Sequence, residues 1–170
     1  MRKIIFTLSL IVMICSCNDN RTNQKILQVK VIVADKVTFH DYYRRNQECY
    51  PIKISLINNT DSTLHFWTMS CSWDKNFVLN SDAIRIILPG CDKNIVDIEK
   101  LASGDTLTYD GCLEVYKIPN LEKTINLRIG FVFVSENISY SYSNFSKILL
   151  KKKNHKKDII WCETPIKLKL

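Results

Sequence analysis

Ile125-Asn126-Leu127-Arg128-Ile129-Gly130-Phe131-Val132-Phe133 puts a large apolar side chain at every second position. Successive side chains of a strand point to opposite faces, so this spacing describes a strand with one buried face. The same period recurs outward from it. Leu27, Val29, Val31 and Val33 alternate with Gln28, Lys30 and Ile32; Ile52, Ile54 and Leu56 alternate with Lys53, Ser55 and Ile57. Leu64 and Phe66 alternate with His65 and Trp67, and Ile166, Leu168 and Leu170 with Lys167 and Lys169. Shorter strand candidates are 77–79, 84–88, 94–101 and 106–113. Turn-forming residues separate them: Asn58-Asn59-Thr60-Asp61-Ser62, Asn80-Ser81-Asp82, Pro89-Gly90 and Ser103-Gly104-Asp105. Short strands at spacings near ten residues predict an all-β antiparallel sandwich. No window of a dozen residues carries a strong 3.6-residue period. Stretches 139–142 and 147–150 read as a long excursion hairpin, and the lysines that follow, Lys151-Lys152-Lys153 and Lys156-Lys157, as an exposed, mobile loop or hairpin tip.

The N-terminus has a different character. Arg2-Lys3 precedes an apolar run, 4–14, interrupted only by Thr7 and Ser9, and Cys15-Ser16-Cys17 follows. A basic start, a short apolar stretch and small residues before a cleavage point make an export signal. The run is too short to span a bilayer, which takes about 20 residues. Ile14-Cys15-Ser16-Cys17 resembles a bacterial lipobox. That resemblance implies cleavage before Cys17 and acylation of its sulfur and new amine, hence a membrane anchor in the bacterial cell envelope, at the outer membrane and facing either the periplasm or the surface. An ordinary secretory signal is the nearest competing reading. The polar Asn18-Asp19-Asn20-Arg21-Thr22-Asn23-Gln24 suits a tether. Three parts are therefore expected: signal peptide 1–16, lipidated cysteine and linker 17–25, and one β-domain 26–170.

A hydrophobic content of 46% is enough for a core, and only four glycines and four prolines speak against low complexity. The net charge of +7 is unevenly distributed: from Lys147 onward there are eight lysines against Asp158 and Glu163. Export argues against a nucleic-acid partner for that run. Its readings are a solvated loop, or a contact with anionic lipid or polysaccharide near the anchor.

Of seven cysteines, Cys49, Cys71, Cys91, Cys112 and Cys162 remain once Cys15 and Cys17 are set aside. Five make at most two disulfides, and spacing leaves 15 arrangements open. The best single pair is Cys71 with Cys91, both in turn-rich stretches on either side of one apolar strand, where a crosslink would contribute about 3 kcal/mol. The competing reading is that these cysteines are small buried hydrophobes.

Residues 26–170 resemble the small immunoglobulin-like lipoproteins of the Bacteroides group. The likeness is carried by Asn58-Asn59-Thr60 after an alternating strand, Phe66-Trp67 with Cys71-Ser72-Trp73, Cys91-Asp92-Lys93-Asn94 and Leu101-Ala102-Ser103-Gly104-Asp105. The turn logic around 101–109 is also similar to the intracellular proteinase-inhibitor family of Ig-like sandwiches. These resemblances imply an immunoglobulin-like β-sandwich and transfer no functional residue.

Catalytic signatures are sparse. There is no Cys-x-x-Cys, and Cys15-Ser16-Cys17 belongs to the signal; there is no Gly-x-Ser-x-Gly and no Gly-rich phosphate loop, so neither cofactor nor metal is expected. His65 and Cys71 are the nearest approach to a nucleophile pair, and Asp92, Asp97, Glu99 and Asp105 are the scattered carboxylates available to a glycosidase-like mechanism. Aromatic residues are the better hint. Tyr42, Tyr43, Arg44 and Arg45 make a candidate contact loop for an envelope protein or polysaccharide, while Trp67 and Trp73 read as either an exposed face or core. The expectation is a non-enzymatic, membrane-anchored binding or scaffolding module; the alternative is an envelope enzyme or enzyme inhibitor acting on polysaccharide or peptides.

Overall fold

The computed structural model describes residues 26–40, 46–88, 90, 93–117, 124–136 and 142–169. Twelve strands and one helix are described. In chain order the strands are β1 (Leu27–Val33), β2 (Val37–His40), β3 (Asn46–Asn58), β4 (Leu64–Met69), β5 (Phe77–Leu79), β6 (Ile84–Ile87), β7 (Val96–Leu101), β8 (Thr106–Val115), β9 (Thr124–Leu127), β10 (Ile129–Val132), β11 (Ile159–Trp161) and β12 (Ile166–Lys169). The helix, α1, is Tyr142–Asn154. All described strand pairings are antiparallel, as expected for an all-β chain.

The first layer runs β1-β3-β8-β6, with β2 beside the N-terminal half of β3. Ile54 faces Val31 on one side and Tyr109 on the other. The second layer is organised by residues 124–136. On one side β12 pairs with β9 and β11 with β10. On the other, β5 pairs with β10, and β4 joins through Phe66 opposite Ser135. β7 lies outside β4. The alternating strand read from sequence is interrupted at Arg128, whose backbone N–H donates to Asn80 Oδ1 at 2.6 Å.

The two layers share one core. Leu27, Ile54, Leu56 and Leu113 from the first meet Phe66, Leu127, Ile129 and Phe131 from the second. Edge-to-face contact between Phe66 and Phe131, with ring centroids 5.3 Å apart, adds to the burial. The chain crosses between layers twice at one end, after β3 and after β7. Asn58, fully buried, fastens those crossings: its amide donates to Ser62 O, Leu101 O and Ala102 O, and its Oδ1 accepts from the N–H and hydroxyl of Thr60. Gly104 takes φ +74° in the second crossing, a conformation glycine adopts without a Cβ clash.

The helix corrects the hairpin expected over 139–150. Phe145, Ile148 and Leu149, at helical spacing, cover Met69, Val96, Val132, Val134 and Ile159 on the outer face of the second layer. A second apolar core thus lies outside the sandwich. The exposed lysine tip is corrected with it. Lys151, Lys152 and Lys153 form the last turn of α1, and Lys156 and Lys157 fall in the 3-10 turn Lys156–Asp158. Cations at a helix C-terminus sit favourably against the helix dipole. Lys151, Lys156 and Lys157 are exposed, whereas Lys152 and Lys153 are half-buried against the body of the protein. No helix among the described residues is long and apolar enough to cross a membrane.

Candidate functional site

The second core is open at one end, leaving a cavity of about 330 Å³ between α1, the 3-10 turn Trp73–Asn76 and the loop before β7. Met69, Phe145 and Leu149 form its apolar floor, and Lys75, Asn94 and Lys153 bring polar groups to it. Each wall has a local reason. Phe145, Leu149 and Lys153 follow one another at four-residue spacing along one face of α1. Asn76, fully buried, holds the Trp73–Asn76 turn by donating from Nδ2 to Trp67 O at 2.9 Å and to Val132 O at 3.2 Å. Asn94 holds the opposite loop, accepting the N–H groups of Cys71 and Ser72 at 3.2 and 3.1 Å and donating to Ser72 Oγ at 2.7 Å.

The electrostatics of this cavity are unusual for a surface. Burial holds the Lys153 ammonium below its ordinary pKa; Asp74 opposes that shift and the like charge of Lys75 adds to it. Burial also raises the Asp74 carboxyl, against the pull of Lys75 and Lys153. Among the described residues neither lysine ammonium has a carboxylate within salt-bridge distance. Leu150 and Ile95 are 62% and 58% exposed, the former on the rim and the latter beside Asn94.

A second polar group lies inside the sandwich. Thr68 and Tyr109 are buried at 1% and 8% exposure, and neither hydroxyl makes a hydrogen bond of normal geometry. Burial pushes the Tyr109 phenol well above its usual range, with the Glu99 carboxylate adding to the shift. Glu99 is opposite Phe66 and Asp97 opposite Thr68, so the two carboxylates share the core-side face of β7. Burial first, then Asp97, raises the Glu99 carboxyl. Trp73 stacks near Tyr109 with centroids 4.9 Å apart and meets Phe77 at 5.5 Å. Trp73 is therefore part of the core packing, and Trp67 packs on the second core. A further cavity of about 430 Å³ lies at the sandwich edge among Val31, Val33, Tyr50 and Ile166.

The other sequence candidates separate. His65 is half-buried and its Nδ1 is 2.7 Å from Glu136 Oε2, while Cys71 is disulfide-bonded. A bonded sulfur is no thiolate, so the His65–Cys71 nucleophile pair is ruled out. Cys49 bonds Cys112, with Cα atoms 5.8 Å apart, and Cys162 is a buried free thiol. The partner proposed for Cys71, Cys91, lies outside the described residues, as do Cys17 and Tyr42, Tyr43, Arg44 and Arg45. Among the described residues no group of three or more His, Cys, Asp or Glu side chains is placed to hold a metal ion.

The α1 cavity escaped the sequence reading because its walls come from four separated segments. Its only signal was the spacing of Phe145, Ile148 and Leu149 ahead of the lysines. Compared with known proteins, the chain matches no family model and no curated protein.

Proposed function

We propose that this chain is a lipid-anchored, non-enzymatic binding module of the bacterial cell envelope, tethered through Cys17 and binding its ligand at the α1 cavity. The lipobox-like Ile14 to Cys17 and the polar tether support the anchoring. The observation that carries the binding role is the cavity: an apolar floor and two ammonium groups that no carboxylate among the described residues bridges, beside a helix that ends in lysines. Ligand sites are commonly such concave, mostly apolar places with a few converging polar groups. An immunoglobulin-like arrangement of the two layers fits the same reading, as does pairing of Cys71 with Cys91 in an oxidising compartment.

Metabolic labelling with a fatty acid tests the anchor. Label should enter the native chain and vanish in Cys17→Ala; label persisting in that variant would overturn it. A photoreactive side chain at the exposed Ser146 tests the cavity, and a discrete adduct formed in cells is the expected result. An adduct equally strong with the photoreactive group moved to Ser55, on the far layer, would refute the assignment.

One observation favours the rival reading of an envelope enzyme acting on polysaccharide. The Glu99 carboxyl is raised, by burial first and then by Asp97, and two carboxylates side by side in unlike surroundings are the pattern of a glycan-hydrolysing site. Hydrolysis of an envelope glycan that is lost in Glu99→Gln would establish it.

A further inference from the structure

We infer that the α1 cavity recognises a monocarboxylate carried on an aliphatic group, with the carboxylate between Lys75 and Lys153 and the aliphatic part on Met69, Phe145 and Leu149. This deepens the binding reading above and rests on it. Three features of the cavity select that chemistry.

The first is charge. Lys75 and Lys153 bring two positive charges and the neighbouring Asp74 brings one negative charge when ionised. Among the described residues the excess is a single positive charge, which one carboxylate neutralises. A dianionic phosphate would leave negative charge uncompensated in a partly desolvated place, which is costly. The second is the state of the Lys153 ammonium. Its partial burial is not matched by a carboxylate in contact among the described residues. An entering anion supplies that partner, and a charge-assisted hydrogen bond in a sheltered site is stronger than one in water. The third is size and lining. About 330 Å³ is at the small end of ligand sites, room for a short aliphatic chain or one large aliphatic side chain and no extended polymer. Among the described residues the floor has no aromatic side chain but Phe145, and a single ring is less than the broad flat platform that sugar rings use.

The same chemistry has two sources in an envelope: a fatty acyl carboxylate, or the C-terminal carboxylate of a peptide ending in a large aliphatic residue. Octanoate and N-acetyl-leucine stand for them. The full lipoprotein, reconstituted in nanodiscs of phosphatidylcholine so that the bilayer itself carries no net charge, is titrated with each by calorimetry, against empty nanodiscs as blank. One or both should bind, while octanol, which lacks the head, and acetate, which lacks the tail, should bind at least about ten-fold more weakly. The better of the two identifies the source. Lys153→Met keeps the aliphatic stem and removes the charge; it should weaken binding about ten-fold or more, with circular dichroism and thermal unfolding verifying the fold. Leu149→Asn should remove the preference for the longer tail.

Octanol binding as tightly as octanoate, or Lys153→Met binding unchanged, would overturn recognition of the head. Absence of binding by both carboxylates would overturn the inference as a whole. A Ser146 adduct still formed in cells would then show that the cavity binds something of other chemistry, which separates this failure from failure of the binding reading.

Discussion

The side-chain amide of Asn58 donates to the backbone carbonyl of Leu101 at 3.0 Å, from the end of β3 to the end of β7. That bond joins the first layer to the second at the place where the chain passes between them. The backbone repeats the tie: Asn58 N–H donates to Asp105 O and Gly104 N–H to Asn58 O, both at 3.0 Å. Asn58→Ala would take this donor from one buried carbonyl, Leu101 O, and two part-buried ones, Ser62 O and Ala102 O, and an unsatisfied group costs about 1–3 kcal/mol where water cannot reach. Partial solvation at the rim reduces the sum. The expected loss is about 2–3 kcal/mol, read from the urea midpoint with unchanged slope. A loss below about 0.5 kcal/mol, the scale of an ordinary surface substitution, would show that the crossings hold without it.

Cys49 and Cys112 close a loop with a sequence separation of 63. In the chain-entropy account such a loop is worth about 4 kcal/mol. Replacing both cysteines with alanine should therefore lower stability by several kcal/mol, seen as a lower melting temperature. Non-reducing peptide mapping should show three thiol fates at once: a Cys49–Cys112 peptide, Cys71 joined to Cys91, and Cys162 alkylated only after unfolding. Cys71 bridged elsewhere would disprove the proposed pair, and Cys162 reacting in the folded chain would contradict its burial.

Gly130 sits where β10 passes beneath Ile159 and Trp161 of β11. A Cβ added there would lie 2.9 Å from Trp161 Cε3 and closer still to the Ile159 side chain. Gly130→Ala should cost about 1–3 kcal/mol, as overpacked sites do, although glycine-to-alanine at an open strand position usually helps. Pairing it with Ile159→Ala should recover part of the loss; a strictly additive double variant would mean that the clash is not with Ile159.

The strands were legible because each carries its own signal. Ile52, Ile54 and Leu56 alternate with polar or lesser-buried neighbours whatever lies beyond them, and Asn58 to Ser62 marks a turn by composition alone. The helix was not, because its buried face is only Phe145, Ile148 and Leu149, and Leu150 and the lysines blur the stripe. Arg128 shows another limit. Period two continues across it, yet the partner strands change there, and only neighbours far along the chain decide that. The nearness of Asp74 to Lys153, close enough to influence its charge without a salt bridge, is likewise a product of packing. Cys49 with Cys112 was one of many possible pairs, and the register of β3 on β8, with Pro51 opposite Cys112, is what brings the two sulfurs together.

The α1 cavity predicts its own pH dependence. The folded-state pKa of Lys153 lies below 10.5, first through burial and then through Lys75, with Asp74 opposing. Well below the folded value the ammonium is charged in both folded and unfolded chains, and the burial penalty is fully present. As pH rises from the folded value towards 10.5 the unfolded chain keeps a proton that the folded chain has released, so stability rises. Asp74 acts in its own window: its folded pKa lies above 3.8, so between the two values the folded chain holds the extra proton and stability falls with rising pH. Urea unfolding of the native chain and of Lys153→Met, taken at matched pH, isolates the first effect. The native chain should gain stability relative to Lys153→Met as pH climbs from neutral towards 10.5. Asp74→Asn should steepen the penalty at neutral pH by removing the attraction that, among the described residues, offsets burial of Lys153. A difference curve that is flat, or that falls with rising pH, would show that Lys153 is as well solvated in the folded chain as in the unfolded one, and the cavity would then hold no poised cation for an anion to meet.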